Sequence, residues 1–441
     1  MELPVEFLDR MKAQLGDEYP AFLAGYQGPV ARGARRNPLK CSQETLTASV
    51  PFALLPTSFS PLSFRVDWEG GFGSLPAHHA GMFYSQEPSA ASAVTALDPQ
   101  PGERVLDLCA SPGGKSTQIA GLLMGQGLLW SNEPVRNRTG QLLSNLERLG
   151  VANAVVSSSY PESLCPALAG YFHRVLVDAP CSGEGLFHRL PQAAQQWSPQ
   201  GVEACARRQL GILDCAAQAV KADGVLVYST CTFSQEENEG VVERFLLAHR
   251  EFVPERIPAD FGRPDQNGGL ARRIYPMDGG EGHFVARFRR VKESPCHTVD
   301  CALPRPGQAE REGEQLYRGL FTGEPPRLLA EKDRLLMRPE GLPELRGLGV
   351  LRAGVELAVI RPKRLEPAHG AFMSRGMAEC RKYINFTPQS PALAAFLLGQ
   401  EIPCEEKGYT AVCVNGVTVG FGKASGGRLK NHYPKGLRNL R

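Results

Sequence analysis

Several things are missing from this 441-residue chain, and each absence closes off a class of function. It has 12 cysteines but no Cys-x-x-Cys pair, so a structural zinc site has no support and no metal is expected. Cys296 and Cys301 flank His297, but the stretch is Pro-rich, lacks further ligands and reads as a linker. Apolar runs stop at strand length, as in VLDL (105–108) and VLVY (225–228). None nears the roughly 20 residues of a membrane-spanning helix. The N-terminal stretch has acids where a signal peptide has a basic start, so a cytoplasmic protein is expected, with no membrane partner. Charge bias is also nearly absent, at a net +3, so composition alone does not announce a nucleic-acid partner. There is no internal repeat. What remains is a globular chain, 42% hydrophobic, long enough for about three domains at roughly 150 residues each.

Charge distribution says more than net charge. From Gly420 to Arg441 there are six cations (Lys423, Arg428, Lys430, Lys435, Arg438 and Arg441) and no acid. Arg32, Arg35, Arg36 and Lys40 form a second basic cluster. Both suit phosphate contacts, and both also suit a merely solvated face.

Residues 1–40 read as helical, with Phe7, Met11, Phe22 and Tyr26 at helical spacing. From about 101, strand and helix patterns alternate. Strands are expected at 104–109, 127–133, 154–158, 174–180 and 224–231, with one more at 283–290. Helices are expected at 116–123, 137–149 and 202–221. Such alternation predicts a parallel, doubly wound α/β sheet. Residues 291–314 read as a linker, and Asn415-Gly416 between alternating apolar runs predicts a hairpin.

Two constellations carry chemistry. The first is the strand, turn and helix start around Cys109, Ala110, Ser111, Pro112, Gly113, Gly114 and Lys115. Cys109 stands where a Walker loop needs glycine, and no G-x-G-x-x-G is present. The turn therefore suits a nucleoside ligand with a free carboxylate, S-adenosylmethionine or another adenosine compound. Glu133 ends the second strand, where an acid can take both ribose hydroxyls. The second constellation is Asp178 and Cys181 at one strand end and Cys231 at another. Neighbouring strands lie about 4.8 Å apart, so these three residues can meet beside the ligand. A thiolate that adds to cytosine C6 makes C5 nucleophilic, a carboxyl group on the N3 edge stabilises the adduct, and a base must then remove the C5 proton.

At these residues the chain resembles the Sun/Fmu family of RNA cytosine-5 methyltransferases. The matching segments are GMFYSQEPSA (81–90), DLCASPGGK (107–115), NEPVRNR (132–138), DAPCSGEG (178–185), WSP (197–199), STCT (229–232) and EENE (236–239). The resemblance implies Cys231 as the attacking thiolate and Cys181 as an aid to product release. It places Asp178 near N3 and the cofactor, Lys115 in the active site and Glu133 on the ribose, with S-adenosyl-L-methionine held by residues 109–115, Glu133, Arg138 and Asp178. Tyr160 stands where many relatives carry Asp. GFGKASGGRLKNHYPKGLR (420–438) and RGARRNPLK (32–40) resemble the F-type 16S rRNA enzymes.

That resemblance implies a Rossmann-like S-adenosylmethionine-dependent methyltransferase sheet with an N-terminal α+β extension and a C-terminal PUA-like RNA-binding domain. The expected divisions are 1–95 (RNA-binding extension), 96–292 (catalysis), 293–374 (linker and first C-terminal domain) and 375–441 (PUA-like domain). The expected substrate is rRNA or the small ribosomal subunit, in the decoding region, acted on by a monomer. Three rivals stay open: the same chemistry on tRNA or 23S rRNA, methylation of an exocyclic amine by the same fold, and a non-catalytic ribosome-assembly factor.

Overall fold

A computed structural model describes residues 3–30, 32–294 and 305–438. Cys296, His297, Cys301 and Arg441 lie outside the described residues. The N-terminal helices Val5–Leu15 and Tyr19–Gln27 bury Phe7, Met11, Phe22 and Tyr26, the four residues at helical spacing. They pack against Phe187, Phe233 and Tyr275 of the central unit. The helical reading fails beyond them. Gly33–Arg36 is a strand (β1), in an antiparallel sheet with β2 (Leu55–Thr57), β3 (Ser60–Arg65) and β4 (Phe83–Ser85), in the order β2-β3-β1-β4. Arg35 and Arg36 are strand residues because cross-strand pairing, of Arg35 with Ser63 and Tyr84 and of Arg36 with Phe83, outweighs local helix propensity.

The central sheet holds the parallel strands β5 (Arg104–Asp107), β6 (Leu128–Asn132), β7 (Ala154–Ser157), β8 (Phe172–Asp178) and β9 (Val220–Thr230). Short β10 (Phe252–Pro254), β11 (Arg263–Pro264) and β12 (Arg272–Ile274) and the antiparallel β13 (His283–Arg290) extend it beyond β9. The path runs β11-β12-β13-β9-β8-β5-β6-β7, with β16 (Val350–Ala353) at the far edge. Successive β5 residues face opposite cores: Leu106 joins Trp130, Phe172 and Leu213, while Val105 joins Ile119, Leu142 and Val227. That is the two-sided burial a doubly wound sheet requires. Helix Pro199–Ala219 covers one face. It starts at Ser198, whose hydroxyl accepts from the Gly201 N–H, with Pro199 in the first turn. Such a cap contributes about 1 kcal/mol. The chain order reverses beside β5, so the carboxyl ends of β5, β8 and β9 open on one crevice.

The helix Gln308–Leu320 begins inside the stretch read as linker. It packs on a sheet of β14 (Leu328–Glu331), β15 (Arg334–Met337), β17 (Val355–Arg361) and β18 (Arg364–Pro367). Between them β16 (Val350–Ala353) leaves this sheet and pairs with β7 at the edge of the central one. The last sheet comprises β19 (Tyr383–Phe386), β20 (Ile402–Pro403), β21 (Gly408–Val414), β22 (Val417–Ser425) and β23 (Arg428–Asn431). Its hairpin turns at Asn415 and Gly416, both with positive φ (45° and 82°), the geometry of a two-residue primed turn. This sheet shares one core with the N-terminal sheet: Leu46, Phe52, Met82 and Phe83 pack with Leu393, Phe396, Val412 and Tyr433. Among the described residues no helix is long and apolar enough to cross a membrane, and no cluster of three potential metal ligands occurs.

Candidate active site

The loop after β5 turns at Gly113, whose φ of 107° suits glycine, and the helix Gly114–Leu123 begins there. A Cβ on Gly114 would lie 3.3 Å from the Tyr84 ring, so the N-terminal sheet presses directly on this loop. Arg35 holds it. Its guanidinium donates to the Gly114 carbonyl (2.6 Å), to the Thr117 hydroxyl (2.7 Å) and to Gln86, and lies over Tyr84. Arg35 is only 2% exposed. Lys40 is likewise tied inward, to the Met373 carbonyl, and Arg36 donates to the Cys41 carbonyl (2.9 Å). Arg35 and Lys40 of the N-terminal basic cluster therefore clamp distant segments together, while Arg32 and Arg36 are tied to backbone carbonyls of their own region.

The other residues expected around the cofactor converge on the same loop. The Arg138 guanidinium donates to the Ser111 carbonyl (3.1 Å), and the Ser111 hydroxyl donates to the Arg138 carbonyl (3.1 Å). Glu133 follows β6, accepts from the Val135 N–H (2.9 Å) and lies 3.5 Å from Arg138. Ala110 donates its N–H to the Asn132 carbonyl (2.8 Å). Cys109 is packed beneath, and burial pushes its thiol pKa well up, so it is not a nucleophile. Tyr160 is 70% exposed at the start of the helix Pro161–Ala167.

Sequence reasoning missed Asp107. It is fully buried beneath the loop, and its Oδ2 accepts from the Ser116 hydroxyl (2.7 Å), but Oδ1 has no partner among the described residues. Burial pushes its pKa up to about 7, against the Ser116 hydrogen bond. An acid ending a buried strand was the visible signal. Because the folded-state value is raised, the protonated form favours folding. That stability is complete below pH 4 and drains away as pH rises toward 7, to a total of about 4 kcal/mol. Asp107→Asn should therefore flatten the fall in melting temperature of the ligand-free protein between pH 5 and pH 8. A variant with the wild-type slope would remove Asp107 as its cause.

At the ends of β8 and β9 the structure assembles the second constellation. Register pairs Asp178 with Ser229. Asp178 accepts from the Lys115 ammonium (2.7 Å) on one oxygen and from the Ser229 hydroxyl (2.7 Å) on the other. Burial works to lower the Lys115 pKa, but Asp178 and Cys231 outweigh it and raise it, so Lys115 remains a cation. The Cys181 and Cys231 sulfurs are 3.3 Å apart. Its hydrogen bond to Cys231, and then burial, hold the Cys181 thiol pKa well above its ordinary range. Cys181 is therefore held as a thiol.

Segments that the sequence picked out without a task turn out to fasten these ends. Glu237 accepts from the Ser182 N–H (3.0 Å), the Ser182 hydroxyl and the Gln209 amide (2.7 Å), and its carbonyl accepts from Tyr228 (2.6 Å). Glu184, fully buried, accepts from Trp197 (2.9 Å) and the Phe233 N–H (3.0 Å) and pairs with Arg10 (2.6 Å). The N-terminal helix therefore pins the loop that carries Cys181.

Lys423, Arg428 and Lys430 on the last sheet, and Lys435 in the turn after it, are exposed. Lys423 stands directly opposite Lys430 across the ladder, an arrangement that costs stability unless an anion lies over it.

The chain matches known proteins throughout its length. The family described as 16S rRNA methyltransferase RsmB/F matches residues 94–289. The N-terminal domain of 16S rRNA methyltransferase RsmF matches 3–88, the RsmF rRNA methyltransferase first C-terminal domain 305–374, and the methyltransferase RsmF PUA domain 384–439. Ribosomal RNA small subunit methyltransferase F of Escherichia coli O17:K52:H18 is 31% identical, over 98% of this chain and 96% of that protein. The protein of the same description from Cronobacter sakazakii is 31% identical, over 99% and 96%. Among solved structures, a methyltransferase homolog from Pyrococcus horikoshii aligns with a TM-score of 0.56 and 27% identity, over 65% of this chain and 100% of that one. NSun6 from the same organism aligns at 0.59 and 24%, over 66% and 99%, a likeness of fold.

Proposed function

The chain belongs to the family of ribosomal RNA small subunit methyltransferases F, and from that premise we propose how its own residues transfer a methyl group to C5 of a cytosine in 16S rRNA. The observation that carries the reading is the pair of sulfurs 3.3 Å apart beside the Lys115–Asp178 ion pair. Methylation of an exocyclic amine needs no thiolate, and an assembly factor needs no such site.

S-adenosylmethionine fits the residues present: a buried carboxylate oxygen of Asp107 lacks a partner among the described residues where an ammonium group would satisfy it, and the glycine loop offers close backbone. Residues 109–115, Glu133, Arg138 and Asp178 would hold it. Bound there, it supplies an electrophilic methyl group. The chain's own groups do the rest. Cys231 adds as thiolate to C6, and charge builds on the N3 edge of the base. Lys115 supplies a proton there, relayed through the Asp178 carboxylate to which it is hydrogen-bonded, and the proton returns by the same route when the adduct collapses. C5 is now enamine-like and can take the methyl group. When C6–S later breaks, the protonated Cys181 donates to the departing Cys231 sulfur, which makes that thiolate a better leaving group.

Bisulfite sequencing of total RNA from cells with and without this protein tests the reading. Cytosines of small-subunit rRNA should lose their protection when it is absent; protection lost only in tRNA or 23S rRNA would reassign the substrate. For the cofactor, Glu133→Ala should weaken binding of S-adenosylhomocysteine by about 1.5–3 kcal/mol per hydrogen bond lost, read by titration calorimetry. Wild-type affinity would take Glu133 out of the site.

A further inference from the structure

Removal of the C5 proton needs a base, and neither cysteine nor the ion-paired Asp178 is free to be one. His283 meets the requirement. It begins β13, one residue before Phe284, which pairs with Thr230 of β9. His283 and Cys231 are therefore the next opposite positions along that ladder, on strands about 4.8 Å apart. Alternation puts His283 on the sheet face of Val285, whose partner Ser229 bonds Asp178.

The proton on this imidazole can be located. Glu87 accepts from the N–H groups of Ser89 (2.8 Å), Ala90 (2.9 Å) and Glu281 (3.0 Å) and from the Ser89 hydroxyl (2.7 Å). A serine has one hydroxyl proton, and here it goes to Glu87. The Ser89 oxygen, 3.0 Å from His283 Nδ1, must then accept from it. Nδ1 carries the hydrogen, and Nε2 keeps a lone pair that takes no hydrogen bond from any described residue. Burial lowers the His283 pKa to about 4, against Glu87, so the ring is neutral near pH 7; Lys115 and Asp178 are the other charges acting on it.

We propose that His283 Nε2 takes the C5 proton, its tautomer set by Ser89 and Glu87. The step rests on the Cys231 adduct described above. The C5–H bond breaks, the proton goes to Nε2, its electron pair forms the C5–C6 double bond, and the C6–S bond breaks to return the Cys231 thiolate. The imidazolium then loses its proton to solvent. This gives a task to the GMFYSQEPSA segment (81–90), which supplies Glu87 and Ser89.

A double-label assay tests it, with 16S rRNA transcribed from C5-tritiated cytidine and a carbon-14 methyl donor. His283→Asn keeps a donor for Ser89 and removes Nε2. It should show a burst of methyl incorporation near one per enzyme, tritium release slowed about 100-fold, and adduct visible on a denaturing gel. His283→Ala should release tritium faster when imidazole is added. Wild-type tritium release in the Asn variant would overturn the proposal. So would loss of the burst in His283→Asn together with no imidazole rescue in His283→Ala, which would mark a structural role. Wild-type enzyme that incorporates methyl without releasing tritium would instead refute the C5 reading beneath it.

Discussion

Cys231→Ala should abolish methyl transfer, a loss on the order of 10⁶-fold, the scale on which removal of a covalent nucleophile acts. Its binding of S-adenosylhomocysteine should stay near wild type, because the proposed cofactor contacts come from the loop after β5, Glu133, Arg138 and Asp178. Cys181→Ala should behave differently. Of the two thiols, attack and methylation need only Cys231, but the departing sulfur loses the donor 3.3 Å away. A covalent protein–RNA species should then accumulate and survive denaturing electrophoresis. If Cys181→Ala were inactive without adduct and Cys231→Ala trapped RNA instead, the two roles would be exchanged. Two variants that both turn over would refute the thiolate mechanism.

The second large effect concerns the C-terminal region. If residues 375–441 formed an independent RNA-binding domain, removing them would strip RNA binding and spare the cofactor site. The shared core predicts otherwise. Truncation uncovers Leu46, Phe52, Phe72, Met82 and Phe83, whose cover comes from Leu393, Phe396, Leu397, Val412 and Tyr433. It also removes the His79–Tyr433 hydrogen bond (2.7 Å). A buried side chain of this size contributes about 1.5–3 kcal/mol, so several together rival the roughly 5–15 kcal/mol that holds a domain folded. The N-terminal sheet carries Arg35, Tyr84 and Gln86 against the glycine loop, so S-adenosylhomocysteine binding should fall with stability, by at least tenfold in calorimetry. A soluble truncated protein with wild-type affinity would show that the sheets are independent. Exchanging Lys423, Arg428, Lys430 and Lys435 together for Gln should isolate the RNA term. The melting temperature should hardly move, while the slope of log affinity for rRNA against log salt falls by about three, at roughly 0.7–0.9 per phosphate contact. An unchanged slope would make those four cations a solvated face.

What the sequence determined by itself was local or periodic. Alternating patterns from 101 to 290 specified the parallel sheet, because burial on both faces leaves an apolar record in each strand. Asn415-Gly416 specified its hairpin, because few residue pairs accept positive φ twice. Asp178, Cys181 and Cys231 were legible as a group, because a doubly wound sheet brings the ends of its strands to one edge. Tertiary structure alone decided the rest. A cation in a sequence looks the same whether it meets water or a carbonyl, so nothing local marked Arg35 as a buried clamp on Gly114. Nor could the chain announce that β16 crosses to the central sheet, or that residues 34–83 and 393–433 close over one core, since such contacts join segments hundreds of residues apart. The roles of the two cysteines were legible only through the family resemblance, since each is a cysteine following a strand. In the fold the Cys181 thiol is buried and hydrogen-bonded 3.3 Å from the Cys231 sulfur, and both effects hold its pKa up.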